Sequence, residues 1–393
     1  MFKIQILNAI TSAGLKLFPR ELYEVDTDMQ DPDAILVRSH VMHEMVFPAS
    51  VKIVGRAGAG VNNIPVAELT KLGIPVLNTP GANANAVKEL VIAGMLLASR
   101  NICQGWDYVR ELSEKDDERI HAKIEQDKKK FAGFELMGKT LGVIGLGSIG
   151  VKVANAALGL GMRVIGYDPT ITVSRAWELS SDVEQAASFE HLLLESDFIS
   201  VHVPLNGQTK NLLGAAQFGL MKNGVVLLNF SRDGIIDNAM LAEALRENKV
   251  YSYISDFPAI ILKDFPRVIS LPHLGASTLQ AEENCAIMLV KQIRDFLECG
   301  TITHAVNFPS TDMPMNLSLT RIAIINANIP NMVAQISSKL ADRKINIVSL
   351  TNKSQNEMAY TLIDVSTEVD SFLLDEIKKI SGVVRVRVVR KSG

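Results

Sequence analysis

The stretch Thr140-Leu-Gly-Val-Ile-Gly-Leu-Gly-Ser-Ile-Gly150 decides the fold of the central part of the chain. Its glycines Gly145, Gly147 and Gly150 form a GxGxxG pattern that lies between an apolar run and a helical segment. A second apolar run ends at Tyr167 and is followed by Asp168, so the unit spans about 30 residues. This order is typical of a βαβ unit that binds a dinucleotide.

Each position of this unit suits a dinucleotide for a physical reason. Gly145 permits the tight turn, Gly147 lets a pyrophosphate approach the backbone, and Gly150 lets the helix pack on the strand. The helix N-terminus offers free N–H groups to the phosphates. Asp168 would accept hydrogen bonds from the ribose and repel a 2′-phosphate, which favours NAD over NADP as the cofactor. The alternative is a glycine-rich turn with a structural role alone.

Apolar strands and amphipathic helices alternate on both sides of this unit. Strands are predicted over residues 141–144, 163–167, 198–203, 225–228, 251–255 and 268–271, and shorter ones over 3–7, 34–38, 51–54 and 76–77. Continuous apolar strands separated by helices indicate parallel sheets that are buried on both faces. The sequence therefore predicts an α/β protein with two Rossmann-like lobes and a cleft between them.

The C-terminal part has a different pattern. Residues 306–319 contain two prolines and little periodicity, and we predict a linker there. Strands over 321–326, 345–350, 359–365 and 383–389, with helices over 331–343 and 371–380, give a β-α-β-β-α-β order. This order predicts a ferredoxin-like module.

Composition excludes several classes of protein. The 393 residues include 40 basic and 43 acidic side chains, which leaves no basic excess to hold a nucleic acid. The longest strongly apolar stretch, Leu90–Ala98, is far shorter than the roughly 20 residues of a membrane span. Cys103, Cys285 and Cys299 form no CxxC motif, so we expect a cytoplasmic location and no metal site.

Two side chains beyond the glycine motif suit redox chemistry on a hydroxy acid. Arg232 and His273 each follow a predicted strand, where ligands of open α/β sheets bind. A guanidinium can hold a carboxylate through two hydrogen bonds, and an imidazole can accept a hydroxyl proton near neutral pH. Taken singly, either residue could equally have a structural role.

Further motifs connect these residues to a known family. They are Val54-Gly-Arg-Ala-Gly-Ala-Gly60, Asn78-Thr-Pro80, Gly138-Lys-Thr140, Asn229–Gly234 and Pro272–Thr278. With them the chain resembles the D-isomer-specific 2-hydroxyacid dehydrogenases over nearly its whole length. The resemblance implies a flavodoxin-like substrate domain, residues 1–95 and 275–305, into which an NAD-binding Rossmann domain, residues 96–274, is inserted.

The resemblance also implies the roles of individual residues. It assigns Arg232 to the substrate carboxylate and carbonyl oxygen, His273 to proton transfer, and Asp256 to the nicotinamide carboxamide. The other implied cofactor contacts are Gly145, Gly147, Ser148, Ile149, Gly150, Asp168, Pro169, Val203, Thr209 and Phe230. The implied substrate contacts are Arg38, Ser39, Arg56 and Asn83.

Two arginines in the implied substrate site suit a phosphate group, because each can donate charge-assisted hydrogen bonds. The reaction that the resemblance implies, and that these arginines favour, is the NAD-dependent oxidation of 3-phospho-D-glycerate to 3-phosphohydroxypyruvate, the first step of L-serine biosynthesis. Alternatives are a dehydrogenase for glyoxylate, hydroxypyruvate or another 2-hydroxy acid, and a protein that senses NAD without catalysis.

The sequence departs from the family at one position. Members have a glutamate about five residues after the position of Asp256, where it pairs with the catalytic histidine. The stretch Ser255-Asp-Phe-Pro-Ala-Ile-Ile-Leu-Lys-Asp264 has Ile260 and Ile261 there. We expect that Asp264 or a water partly replaces the glutamate.

Residues 320–393 resemble an ACT domain. The matching residues are Asn326-Ala-Asn-Ile-Pro-Asn-Met-Val333 and Ile345-Asn-Ile347. The resemblance implies an L-serine effector held by Asn328 and Asn346, and a homodimer or homotetramer. A module that dimerises without a ligand is the alternative.

Overall fold

The computed structural model describes residues 1–8, 10–316 and 319–389. Contacts within the chain divide it into two compact units. The first unit comprises Met1–Ala82 and Leu279–Gly393, and the second comprises Asn83–Thr278.

The first unit begins with a parallel five-stranded sheet in the order β2-β1-β3-β4-β5. Its elements are β1 (Phe2–Ile6), α1 (Ser12–Leu15), β2 (Tyr23–Asp26), β3 (Ala34–Val37), β4 (Ile53–Arg56), α2 (Val66–Lys71) and β5 (Val76–Leu77). This strand order is that of flavodoxin-like folds, as predicted. Every residue of β3 is buried, which explains its unbroken apolar sequence. Strand β2, whose residues alternate between apolar and acidic side chains, was not predicted from the sequence.

The second unit contains a parallel seven-stranded sheet in the order β12-β11-β10-β9-β6-β7-β8. Its helices and strands are α3 (Ala84–Arg100), α4 (Ile102–Glu111), α5 (Asp117–Asp127), β6 (Thr140–Ile144), α6 (Ser148–Gly159), β7 (Arg163–Tyr167), α7 (Val173–Glu178), β8 (Glu184–Gln185), α8 (Phe189–Glu195), β9 (Phe198–Val201), α9 (Ala215–Leu220), β10 (Val225–Asn229), α10 (Asn238–Arg246), β11 (Val250–Ser255) and β12 (Val268–Ser270). Counted from β6, the arrangement is the doubly wound Rossmann order, which confirms the predicted fold class.

The division between the units differs from the predicted boundaries at 95/96 and 274/275. Helix α3 packs against α6 and β10, so it belongs entirely to the second unit. A Cβ at Gly94 would already lie 3.2 Å from the side chains of Leu228 and Ile254, which shows how closely α3 approaches this sheet. The second unit therefore begins at Asn83 and extends to Thr278.

The remainder of the first unit combines a long helix with an antiparallel sheet. Its elements are α11 (Leu279–Arg294), β13 (Thr320–Ala327), α12 (Met332–Asp342), β14 (Ile347–Gln355), β15 (Met358–Val365), α13 (Ser371–Lys378) and β16 (Val383–Val389). The sheet order β14-β15-β13-β16 and the element order are those of a ferredoxin-like module, as predicted. Residues 390–393 of the predicted module lie outside the described residues.

The segment predicted as a linker packs into the first unit. Phe308 and Thr311 are buried, and Phe308 belongs to one apolar core with Leu36 of β3 and Leu362 of β15. Residues 317–318 of the segment lie outside the described residues. A structured connection explains why the ferredoxin-like module groups with the first 82 residues and does not form a third compact unit.

Arg321 fixes this connection through its five N–H donors. Its Nε and Nη2 donate to the two carboxylate oxygens of Asp364, at 2.7 and 2.8 Å. The remaining donors bind the carbonyl oxygens of Cys299, Met313 and Pro314, at 2.8–2.9 Å. Both side chains of the ion pair are almost fully buried. Arg321 therefore joins β13 and β15 to the segment between α11 and the sheet.

Replacing Arg321 by methionine is expected to destabilise the protein by roughly 3–5 kcal/mol, because Asp364 would remain buried without a cation. Urea unfolding measures this change. Lys379→Met is the control, since the Lys379–Glu376 ion pair lies at the surface and should contribute no more than about 1 kcal/mol. Equal stability of the two variants would contradict the role given to Arg321.

In the part of the chain that the structure describes, no helix combines the length and the apolar character needed to cross a membrane.

Candidate active site

The glycine loop between β6 and α6 admits only glycine at two positions. Gly145 has a φ of +90°, and a Cβ there would lie 2.6 Å from the carbonyl oxygen of His202. A Cβ at Gly150 would collide with the carbonyl oxygen of Gly145. Because both positions lack a Cβ, the first turn of α6 can lie close to the end of β6.

The third glycine faces open space. A Cβ at Gly147 would meet no atom within 4 Å, and Gly147 is the N-cap of α6 without a capping side-chain bond. Ser148 and Ile149 follow as the first residues of the helix. The first-turn N–H groups and the free space beside them fit the diphosphate of a dinucleotide, as the sequence predicts.

Asp168 is held at the carboxyl end of β7, beside this loop. One carboxylate oxygen accepts a hydrogen bond from the N–H of Leu146 at 2.9 Å. The other accepts two from Thr170, from its N–H at 2.8 Å and its hydroxyl at 3.0 Å. A carboxylate has about four acceptor positions, so one remains for a ribose hydroxyl.

A cavity of about 400 Å³ opens beside Asp168. Tyr167 and Pro169 line it together with the apolar side chains of Leu146, Ile171, Leu179 and Val183. A polar rim with an apolar interior suits the adenosine part of the cofactor. The sequence analysis missed the apolar lining, because these residues come from irregular segments without periodicity.

The other predicted cofactor residues also have structural roles. The carbonyl oxygen of Val203 accepts a hydrogen bond from the Ser231 hydroxyl, which links the loops after β9 and β10. The Thr209 hydroxyl accepts one from the N–H of Asn206 at 2.8 Å. Phe230 is 5% exposed and belongs to the core beneath α3. Val203 and Thr209 thus shape the loops, while Phe230 anchors its loop in the core.

Arg232 lies in an exposed turn after β10. Its Nη1 donates to the carbonyl oxygen of Ser231 at 2.6 Å, and no carboxylate of the described residues forms an ion pair with it. The turn is fixed by the buried Asn229, whose amide donates to the carbonyl oxygen of Arg232 at 2.9 Å and accepts from the N–H of Ser231 at 3.1 Å. Arg232 is therefore a positioned cation that can receive an anionic ligand.

His273 is exposed and has a left-handed backbone conformation, with a φ of +58°. Its ring contacts the ring of Phe257 edge-on, with centroids 5.2 Å apart. Asp256, which is 2% exposed, accepts hydrogen bonds from the next two N–H groups, those of Leu274 at 2.8 Å and Gly275 at 2.6 Å. Asp256 thus stabilises the loop in a conformation that costs about 1–2 kcal/mol for a residue other than glycine.

The expected partner of His273 is not at hydrogen-bonding or ion-pair distance. Among residues 1–8, 10–316 and 319–389, no carboxylate bonds to His273. This includes Asp264, the expected replacement for the family glutamate. Ile260 and Ile261, at the positions of the family glutamate, are 90% and 49% exposed. The imidazole is therefore oriented by its backbone and by Phe257.

In the first unit, the structure brings Arg38, Ser39 and Arg56 together. Residues Val37 and Arg56 are paired at the ends of β3 and β4, and Arg56 Nε donates to the carbonyl oxygen of Arg38 at 2.9 Å. Asn8, which the sequence analysis missed, binds the Arg38 N–H at 2.9 Å and the Ser39 hydroxyl at 2.7 Å.

Arg38 Nη2 forms an ion pair with Glu282 of α11 at 2.9 Å, so a carboxylate already offsets part of its charge. The remaining predicted substrate residue, Asn83, lies in the second unit as the N-cap of α3.

Asn328 and Asn346 are not brought together within one chain. Asn328 follows β13 and donates to the carbonyl oxygen of Asn356 at 3.0 Å, while Asn346 precedes β14. Ala327 and Gln355 both pair with Met358, whereas Thr320 and Ile347 both pair with Val365. The two asparagines therefore lie at opposite ends of the sheet, roughly 25 Å apart at about 3.3 Å per residue.

His202 lies directly after β9 and was not singled out from the sequence. Its Nε2 lies 2.8 Å from the Ser200 hydroxyl, and its buried Nδ1 has no hydrogen-bond partner among the described residues. Burial lowers the pKa of His202 to about 3, so the ring is neutral in the folded protein.

Because the unfolded chain binds this proton at higher pH, stability should fall as pH falls from about 6.5 toward 3. The contribution of His202 to this slope is at most about 1.4 kcal/mol per pH unit. His202→Gln should flatten the dependence in urea unfolding between pH 7 and 4.5. His121→Gln, an exposed control, should leave it unchanged. An unchanged slope in His202→Gln would contradict this assignment.

Comparison with known proteins agrees with the geometry. Residues 92–275 match the family profile described as "D-isomer specific 2-hydroxyacid dehydrogenase, NAD binding domain", and the cofactor is accordingly NAD. A D-3-phosphoglycerate dehydrogenase of Methanocaldococcus jannaschii is 36% identical over 331 residues, which are 82% of this chain. The chain spans 60% of the length of that relative.

Two further proteins cover most of their own length in the comparison. A D-3-phosphoglycerate dehydrogenase of Haemophilus influenzae is 31% identical over 364 residues, 90% of this chain and 85% of that protein. The crystal structure of an NAD⁺-bound 3-phosphoglycerate dehydrogenase of Entamoeba histolytica matches with a TM-score of 0.60 and 27% identity, over 78% of this chain and 98% of that one. The chain therefore belongs to the family of D-isomer-specific 2-hydroxyacid dehydrogenases.

Proposed function

We propose that this protein oxidises the C2 hydroxyl group of 3-phospho-D-glycerate to the ketone of 3-phosphohydroxypyruvate. The observation that carries the proposal is the pair Arg232 and His273, each of which follows a strand of the NAD-binding sheet. Within the described part of the chain Arg232 has no carboxylate partner, and the imidazole of His273 is exposed. The relatives from Methanocaldococcus jannaschii and Haemophilus influenzae support the choice of substrate.

The two side chains divide the chemistry between them. His273 accepts the proton of the C2 hydroxyl group as its oxygen becomes a carbonyl oxygen. Arg232 holds the substrate carboxylate and the same oxygen by charge-assisted hydrogen bonds. Bound NAD supplies the acceptor for the hydride that leaves C2. Asp256 acts as a positioning residue, because it holds the loop of His273 through Leu274 and Gly275.

The substrate phosphate is assigned to the arginines of the first unit. Arg56 ends β4 and Arg38 directly follows β3, where Arg56 binds the carbonyl oxygen of Arg38 and Ser39 is the next residue. Glu282 forms an ion pair with Arg38, so a bound phosphate would share Arg38 with that carboxylate. Asn83 would contact the bound substrate through its side-chain amide.

The C-terminal module is proposed to be an ACT domain that regulates the enzyme. Because Asn328 and Asn346 lie at opposite ends of its sheet, one L-serine molecule could contact both only if two chains contribute. We therefore expect a homodimer or homotetramer in which serine binds between the modules of two chains. Titration calorimetry with L-serine tests this proposal, and absence of binding would leave a module that only dimerises.

NADH oxidation with 3-phosphohydroxypyruvate, glyoxylate and pyruvate in parallel tests the function. We expect kcat/KM to be highest for 3-phosphohydroxypyruvate. A higher value for glyoxylate or pyruvate would assign another 2-hydroxyacid dehydrogenase. NADH binding without turnover of any of the three would instead indicate an NAD-sensing protein.

A further inference from the structure

A cavity of about 380 Å³ lies within the first unit, between the ferredoxin-like sheet and the first 82 residues. One wall is formed by β13, β15 and β16, and the other by residues near Ser50 and Gly73. None of the residues predicted to bind substrate, cofactor or serine lines it. A second ligand could therefore bind here independently of the active site.

The cavity has an excess of positive charge. Lys52, Lys378, Arg385 and Arg387 all line it. Lys52 forms an ion pair with Asp33, but no carboxylate of the described ranges pairs with the other three. Three uncompensated cations around one cavity favour an anionic occupant.

The two arginines bind only neutral groups. Arg385 Nε donates to the carbonyl oxygen of Leu72 at 2.7 Å, and a second donor binds that of Val51. Arg387 Nη2 donates to the carbonyl oxygen of Phe296 at 2.6 Å, and its guanidinium lies 4.5 Å from the ring of Phe296. Burial lowers the pKa of both guanidinium groups, because each charge is partly removed from water.

Ser50 gives an independent indication of a ligand. Ser50 lines the cavity, and its hydroxyl oxygen is buried without a hydrogen-bond partner in the described part of the chain. Buried hydroxyl groups in native proteins nearly always have a partner. An oxygen atom of a bound anion would supply it.

The remaining lining decides the kind of anion. Ile325, Val384 and Val386 add apolar surface that suits a carbon skeleton. Asp33, a carboxylate that acts on Arg387, is already paired with Lys52, so the ammonium group of an amino acid would find no free partner in it. We propose that this cavity binds a small organic dianion, a dicarboxylate or a phosphate ester, through Arg385, Arg387, Lys378 and Ser50.

Such a ligand would contact both the ferredoxin-like sheet and the first 82 residues, and it would stabilise the unit that they form. The probes are succinate as the dicarboxylate and glycerol 2-phosphate as the phosphate ester, at constant ionic strength. Calorimetry and thermal unfolding of the full chain should show saturable binding and a higher Tm with at least one of them. The stronger probe identifies the class of ligand.

Neighbouring lysines of the same helical region provide a matched pair of variants. Lys378→Gln and Ser50→Ala should each weaken binding about fivefold or more, because each removes one hydrogen bond to the anion. Lys379→Gln should leave it unchanged, since Lys379 pairs with Glu376 and does not line the cavity.

Absence of saturable binding with both probes would overturn the proposal. Equal weakening in Lys378→Gln and Lys379→Gln would also overturn it, because it would reveal an unspecific charge effect. Loss of binding in Arg56→Met but not in Lys378→Gln would place the anion at the proposed substrate site instead.

Discussion

Replacing His273 by glutamine is expected to lower kcat for 3-phospho-D-glycerate oxidation by roughly 10²- to 10⁴-fold, the contribution of a positioned general base. The imidazole is exposed and is oriented by Phe257 and by a loop that Asp256 holds. Glutamine retains a polar side chain but cannot accept the proton.

Steady-state kinetics across pH, together with NADH binding, measure this effect. NADH affinity should remain near that of the natural chain. His121→Gln, an exposed histidine in α5, is the control and should retain full activity. Full activity of His273→Gln at every pH would show that another group transfers the proton.

Replacing Arg232 by methionine should lower kcat/KM by roughly 30- to 1,000-fold, because the substrate carboxylate would lose its charged partner. Methionine preserves much of the side-chain length, and the turn itself depends on Asn229, so the fold should remain intact. Arg232→Lys should recover part of the loss, since lysine keeps the charge but not the two-pronged geometry.

Initial rates with saturating NAD and varied substrate give kcat/KM for both variants, and they separate the effect of the charge from that of the two-pronged geometry. The unfolding midpoint should be unchanged in both Arg232 variants, since among the residues that the structure describes the Arg232 side chain donates to the Ser231 carbonyl oxygen alone. A loss below about threefold in Arg232→Met would remove Arg232 from substrate binding, because a charged hydrogen bond contributes more than that.

The fold class could be predicted because its signals are local. The strands around the glycine motif are continuous apolar runs, and β7, β5 and β16 have the predicted bounds. The division into units could not be predicted in the same way. It depends on packing between distant segments, as when Arg321 binds Asp364 and the carbonyl oxygens of Cys299, Met313 and Pro314.

The candidate site shows the same contrast. Residue types and motifs pointed to Arg232, His273 and Asp168, and the structure gives each a defined setting. Asn229, which positions Arg232, and Asn8, which binds Arg38 and Ser39, carry no chemistry of their own and were given no role from the sequence. The hydrogen bonds between Asp256 and the His273 loop were also missed, because hydrogen bonds to backbone N–H groups have no sequence pattern.

The missing glutamate changes how the histidine is understood. Exposed isoleucines occupy its positions, and no described carboxylate bonds to His273. The imidazole is thus oriented by Phe257 and by the backbone of the loop that Asp256 binds. Substituting Asp256 would therefore test loop geometry rather than proton transfer alone.

Transfer of hydride from C2 of the D isomer is tested most directly with 3-phospho-D-glycerate that carries deuterium at C2. The full chain is incubated with this substrate and NAD, and the reduced cofactor is analysed by NMR. The account predicts one deuterium at C4 of the nicotinamide ring for each NADH formed. Unlabelled NADH, or no NADH at all while the cofactor still binds, would contradict it.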